Sequence, residues 1–396
     1  MNIKSPMDLV ELSRIRAIGE TVQKLQNEGR DIVRLQIGEP DFVTPSHIME
    51  AAKAALDQGL THYAPNRGIL SLREEISKKL LRDNGISADP ATEILVTSGC
   101  AEGLYIAFMG LVQPGDEVIL IEPAYISYLQ LCRAAHAKPV SIHAREENNW
   151  LPDMDELRAA VTDKTKLLIL NTPSNPTGAV YPMDLLEQIA ALAQERDFLV
   201  LSDEVYEKLV FDNAVHKSIA ALPGMKERTI TVNGFSKAFA MTGWRMGYVA
   251  ASADLILPML KVHQYAVASS NIIAQSAATA ALRSGEACVD EMRQEYARRR
   301  AFLLDAFAQI PEISCVPPSG TFYIYPNVSG TGLTGSAFAN RLLMDAGVAT
   351  VPGTAFDSFC DCHIRISYAS SLESLKKAVA RMRRMLGYSV PAEETL

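Results

Sequence analysis

Between about residues 90 and 250 the chain alternates short, nearly continuous apolar runs with stretches whose apolar positions recur at helical spacing. The runs are EILVTS (93–98), EVILIE (117–122), KPVSI (138–142), KLLILN (166–171), FLVLSDE (198–204), TITVNG (229–234) and GYVAAS (247–252). Helical periods lie between them, over Met154–Ala160, Ala101–Leu111, Ile126–Ala135 and Met183–Arg196. A strand that is apolar along its length is buried on both faces, as happens when helices cover a parallel sheet on either side. The pattern predicts an α/β fold on a mostly parallel seven-stranded sheet.

After Ser252 the character changes. The pattern predicts a long amphipathic helix from Glu286 to Gln309. Two weak strands follow, TFYIY (321–325) and HIRIS (363–367), with helices over Ser336–Ala346 and Leu372–Leu386. That predicts a small α+β domain over 286–396 beside a large domain over 46–285, with residues 1–45 as an arm that packs back onto the small domain. The basic triplet Arg298–Arg300 reads as a solvated helix face, and the tail SVPAEETL as a frayed end.

Composition is that of an ordinary globular protein. The chain has 396 residues, 48% hydrophobic and 21% charged, enough for a core that encloses a cofactor. A net charge of −8 argues against nucleic acid as a partner, because phosphate binding needs a clustered positive field. No run approaches the ~20 apolar residues of a membrane span, and the first twenty residues lack a signal-peptide core, so a cytoplasmic protein is expected. Cys100, Cys132, Cys288, Cys315, Cys360 and Cys362 are too scattered for a disulfide framework. Cys360-Asp361-Cys362 has no second pair to complete a zinc site, so free thiols and no metal are expected.

Ligands of open parallel sheets bind beyond the carboxyl ends of the strands. Here those ends run into Asn171–Asn175, Asp203–Tyr206, Ser236-Lys237 and Ser98-Gly99-Cys100-Ala101. Singly, each has a plain explanation: a solvated lysine, an N-capping aspartate, a turn. Together they bring an amide, a carboxylate, a phenol, a lysine and a small-residue anion nest to one rim, which a purely structural sheet does not need.

The set suits pyridoxal 5'-phosphate (PLP). A carbanion at an amino acid's α-carbon needs an electron sink, which a protonated pyridinium supplies. Asp203 would keep the ring nitrogen protonated, and Tyr206 with Asn175 would bond the 3-oxygen. Lys237 would carry the cofactor as a Schiff base and shuttle the proton, with Ser236 beside it. Arg245 and the backbone of Gly99, Cys100 and Ala101 would hold the phosphate, and Tyr125 would stack on the ring.

These residues resemble class I/II aminotransferases of PLP fold type I, above all bacterial and archaeal aspartate and aromatic aminotransferases, from IGEPDFVTP (37–45) to HIRISYA (363–369). SKAFAMTGWRMGY (236–248) is the most specific piece, and it places Lys237 and Arg245. NTPSNPTG implies Asn175, and SDEVYEKL implies Asp203 and Tyr206. THYAPNRGILSLREEI (61–76) implies that Tyr63 reaches the phosphate in a neighbouring subunit, hence a homodimer with shared active sites. HIRIS implies that Arg365 binds the substrate α-carboxylate, with Gly38 and Asn175 beside it.

The resemblance implies reversible transfer of an α-amino group between an L-amino acid and a 2-oxo acid such as 2-oxoglutarate. A C–S β-lyase shares the scaffold and the first proton abstraction. Effector-sensing relatives carry a DNA-binding domain ahead of this region, and the acidic balance speaks against that class. The chain departs from aspartate specialists, whose phosphate turn resembles GGKQAL, because Ala101 fills the lysine slot. An alanine cannot pair with a second carboxylate, so neutral or aromatic donors are expected ahead of aspartate, with Arg16 as the remaining candidate cation. The side-chain pocket is expected near Ile15–Ile18, Tyr63, Tyr125 and Val267–Asn271.

Overall fold

The computed structural model describes residues 5–391. It begins with α1 (Arg14–Asn27), β1 (Val33–Arg34), α2 (Ser46–Asp57) and α3 (Leu70–Lys79). Next come β2 (Ile94–Thr97), α4 (Cys100–Leu111), β3 (Glu117–Glu122), α5 (Ser127–Ala134), β4 (Lys138–His143) and α6 (Met154–Ala160). They are followed by β5 (Thr165–Asn171), α7 (Met183–Glu195), β6 (Leu199–Asp203), β7 (Thr229–Gly234) and β8 (Gly247–Ala250). The last stretch holds α8 (Ala253–Ala266), α9 (Ile272–Ser284), α10 (Glu286–Ala308), β9 (Tyr323–Ile324) and α11 (Gly335–Ala346). It ends with β10 (Val348–Ala349), β11 (Val351–Pro352), β12 (Ile364–Ser367) and α12 (Leu372–Leu386).

The seven expected strands form one sheet in the order β2-β8-β7-β6-β5-β3-β4. Only β8 runs against its neighbours, β2 and β7. Alternate residues serve opposite faces. Ile119, Leu168 and Val200 pack with Leu157 of α6 and Ile189 of α7. Leu120, Ile169 and Leu201 pack with Leu104 and Phe108 of α4 and Met259 of α8. Each such side chain contributes roughly 1.5–3 kcal/mol by burial. A one-residue slip would exchange the two faces, so the packing fixes the register that aligns the strand ends.

The arm joins the C-terminal part through β1, which pairs with β10, and through Val22 and Leu25 of α1, which pack on Leu343 and Ala349. There β11-β12-β9 form a small antiparallel sheet, against which Tyr296 and Leu303 of α10 and Val379 of α12 pack. No described helix is long and apolar enough to cross a membrane. The frayed tail expected at 389–396 lies, from residue 392, outside the described residues.

Two expectations are corrected. Arg299 and Arg300 are buried, at 5% and 8% exposure, and not solvated. Arg299 pairs with Asp41 at 2.7 Å, and Arg300 with Asp212 at 2.8 Å. Three consecutive helical residues fan over roughly 200°, so a triplet cannot stay on one face. Cys360 and Cys362 are not free thiols but are joined as a disulfide, with Cα atoms 5.5 Å apart, a separation the bond accepts. Cys100, Cys132, Cys288 and Cys315 are free.

Candidate active site

The carboxyl ends of β5, β6 and β7 lie level, with Asn171 opposite Asp203 and Asp203 opposite Val232. The turns that leave them open on a cleft of about 910 Å³. Gly38, Cys100, Ala101, Tyr125, Asn175, Asp203, Tyr206, Ser236, Lys237, Arg245 and Arg365 all line it. Gly99, expected beside Cys100 and Ala101, is not among the lining residues. Tyr63 does not reach the cleft of its own chain; it is 90% exposed. Ile15 and Arg16 of α1 line the mouth, whereas Val267–Asn271 do not.

The turn into α4 is shaped by close approach. Gly99 has φ +80, a conformation glycine adopts freely, and a Cβ there would meet Arg245 Nη2 at 2.6 Å. A Cβ on Gly247 would lie 2.7 Å from the Gly99 carbonyl carbon, so the turn rests flush on β8. Arg245 adopts φ 55, costly for a residue with a Cβ, and its Nη1 donates to Thr242 O at 3.0 Å. The free N–H groups of a helix start beneath a guanidinium suit a phosphate dianion.

Lys237 Nζ donates to Gly38 O at 2.6 Å. Burial lowers this amine to about 8. Burial likewise raises the Asp203 carboxyl to about 6, against the pull of hydrogen bonds from Tyr128 and the Val205 amide. Its Oδ2 accepts from Tyr128 Oη at 2.7 Å. A buried carboxylate so placed is completed by a cation such as a protonated ring nitrogen. Tyr206 Oη lies 2.9 Å from Tyr323 Oη.

Arg365 is 2% exposed and held on several sides. Nη1 donates to Asn175 Oδ1 at 3.0 Å and Nη2 to Gln36 O at 2.8 Å. Its guanidinium carbon stands 4.3 Å from the Tyr323 ring centroid and 4.8 Å from that of Phe356. Gly38 must be glycine, because a Cβ there would run into Tyr323 Oη.

Three residues escaped the sequence reading. Asn171 ties the Asn175 turn to β6: its Nδ2 donates to Asp203 O at 3.0 Å, and its Oδ1 accepts the Asn175 N–H at 2.8 Å. Tyr323 carried no local signal. Tyr128 did, since it stands three residues beyond Tyr125 in EPAYISY, the spacing that brings side chains to one face as a helix begins. Beneath the rim Glu204, Glu207 and His216 cluster closely. Lys79 pairs with Glu207, and Asn84 Nδ2 donates to both carboxylates at 3.1 and 2.7 Å, so their charge is answered within the fold.

A phosphate cradle, a buried carboxylate and a buried amine in one cleft fit PLP. The sequence matches the family model for aminotransferase class I and II over residues 30–382. It is 45% identical over 388 residues to the aspartate aminotransferase of Pyrococcus abyssi, covering 98% of each chain. It is 43% identical over 388 residues to aromatic-amino-acid aminotransferase 2 of Thermococcus litoralis, again covering 98% of each. The solved aspartate aminotransferase from Thermus thermophilus with maleate superposes with a TM-score of 0.93 at 41% identity, covering 97% of this chain and 100% of that one.

Proposed function

The chain belongs to the class I and II aminotransferases, enzymes of PLP fold type I, and from that premise we propose that it binds PLP and prefers neutral or aromatic L-amino acids to aspartate as donors. The acceptor is a 2-oxo acid such as 2-oxoglutarate. The observation that carries the reading is that Lys237 and Arg365 meet on one backbone strap, donating to Gly38 O and Gln36 O. A guanidinium takes a carboxylate bidentately. Beside it stands an amine whose lowered pKa makes it a usable base near neutral pH.

When bound, the cofactor supplies the electron sink for the α-carbanion. The chain's residues do the rest. Asp203 would hold a proton at the ring nitrogen, Asn175 and Tyr206 would hold the 3-oxygen, and Tyr125 would cover the ring. Gly99, Cys100, Ala101, Ser236 and Arg245 would hold the phosphate. Lys237 would anchor the cofactor and move the proton from the α-carbon. Tyr63, exposed on its own chain, reaches the partner's phosphate in a homodimer.

Donor preference rests on the cleft wall. Relatives named for aspartate and for aromatic amino acids stand at 45% and 43% identity, too close to choose between them. Ala101, Leu104, Ile126 and Leu131 give the wall apolar surface, and Arg16 is its remaining cation, at the mouth. A half-reaction screen of the PLP-loaded protein, following the cofactor's visible band without acceptor, tests this. Aromatic and neutral donors should convert the band faster than aspartate; conversion by aspartate and glutamate alone would overturn the preference.

A further inference from the structure

The segment from Asn233 to Phe239 is a partition. Ser236 and Lys237 face the active cleft, whereas Asn233, Phe235 and Phe239 line a second cavity of about 480 Å³. That volume lies within the roughly 300–1,000 Å³ typical of small-molecule sites. Asn233 and Tyr248 line it from directly opposed positions on β7 and β8, so their side chains share a face. Both are buried, at 3% and 2% exposure. Asn233 Oδ1 already accepts the Gly234 N–H at 2.7 Å. Neither Asn233 Nδ2 nor Tyr248 Oη has a partner among the described residues. Two buried donors side by side with nothing to donate to call for a water or a ligand.

The walls narrow the choice. Phe235 and Phe239 offer aromatic surface. The charges around the cavity are paired: Lys79 with Glu207, Lys208 with Asp83 at 2.7 Å, and Arg293 with Asp290 at 2.9 Å. Burial raises the Tyr248 hydroxyl far above its usual range, and nearby Glu207 and Glu204 push the same way. The phenol therefore stays a neutral donor, and an anion beside it would meet carboxylates.

We propose that this cavity is a second binding site, which takes an uncharged aromatic molecule bearing a carbonyl acceptor, an aromatic carboxamide being the simplest. The carbonyl sits on Asn233 and Tyr248, and the ring lies against Phe235 and Phe239. Because its floor is the segment that carries Lys237, an occupant touches that lysine's support without entering the cleft.

Benzamide titrated into the PLP-loaded protein, followed by ligand-observed NMR, tests the site, with benzoate as its anionic counterpart. One benzamide should bind per chain, undisturbed by benzoate or by Arg365→Ala. Loss of one hydrogen bond in Tyr248→Phe should weaken it about fivefold. Ala287→Trp, at an exposed lining position, should block entry with little effect on the fold. The proposal is overturned if benzamide does not bind, or if benzoate binds equally well. It is also overturned if Arg365→Ala removes binding while Tyr248→Phe does not, or if crystals grown with benzamide hold only water between Asn233 and Tyr248.

Discussion

Tyr128 Oη donates to Asp203 Oδ2 at 2.7 Å, and its only company at that carboxylate among the described residues is the Val205 amide, 3.3 Å from Oδ1. Burial lifts Asp203 to about 6 while the tyrosine draws it back down. Tyr128 is thus a positioning residue that favours the ionised form. Tyr128→Phe should raise the carboxyl further and move the acid limb of kcat/KM to higher pH. Losing a hydrogen bond to a charged group should cost about tenfold in rate near neutral pH. An unmoved acid limb would leave Tyr128 with packing alone.

Asp203 also sets a pH dependence of stability in the cofactor-free protein. Its folded pKa, about 6, stands above the ordinary 3.8, so the neutral acid is the form the fold favours. The stability this lends is fully present below 3.8 and is lost as pH rises through about 6. Asp203→Asn imitates the neutral form. The variant should unfold with the parent near the acid end of that window and exceed it by roughly 3 kcal/mol above the window. With cofactor bound the order should reverse. Denaturant melts across the window decide the matter, and a pH-independent difference would remove the electrostatic account.

Lys237 carries the opposite shift, with burial bringing its ammonium down to about 8. The neutral amine is therefore abundant well below the pH at which a solvated lysine offers it. The rate at which cofactor-free protein takes up PLP and gains its visible band should rise with pH and reach half its maximum near 8. Lys237→Ala should show no such band. A band that survives would move the anchoring role to another residue.

The sheet was legible because strands such as β3 and β7 are buried along their whole length, and in β3 the stretch between the two terminal glutamates, Val118–Ile121, is an unbroken apolar run. The rim residues followed from the strands that deliver them. What stayed hidden depends on contacts distant in sequence or on weak contrast. Helix α9 buries Ala277, Ala278 and Ala281, small residues whose pattern barely rises above the background. Arg299 finds Asp41, and Tyr128 finds Asp203, across the fold. No local rule pairs residues so far apart, so an arginine that looks solvated in the sequence is a buried tie between α10 and the arm.

Arg365 and Arg16 should separate the two demands a transaminase makes on its cations. Arg365 is buried between Tyr323 and Phe356 and bonded to Asn175, so the site proposed for the carboxylate that every amino acid shares is fixed in place. Arg365→Lys keeps the charge but loses the paired N–H groups, so kcat/KM should fall by about a hundredfold for all donors alike. Arg16 is exposed on α1 at the cleft mouth, in an arm fastened nearby where the Glu11 amide donates to Gln130 Oε1 at 2.8 Å. Its charge is useful only to a substrate with a second carboxylate. Arg16→Ala should therefore raise KM for 2-oxoglutarate and glutamate by about threefold to fivefold, the scale of one solvent-screened charge contact, while leaving phenylalanine unchanged. Ala101→Lys should do the converse and bring aspartate forward among the donors. Parallel losses for glutamate and phenylalanine in Arg16→Ala would assign Arg16 to holding the arm, and dicarboxylate binding would then need another cation.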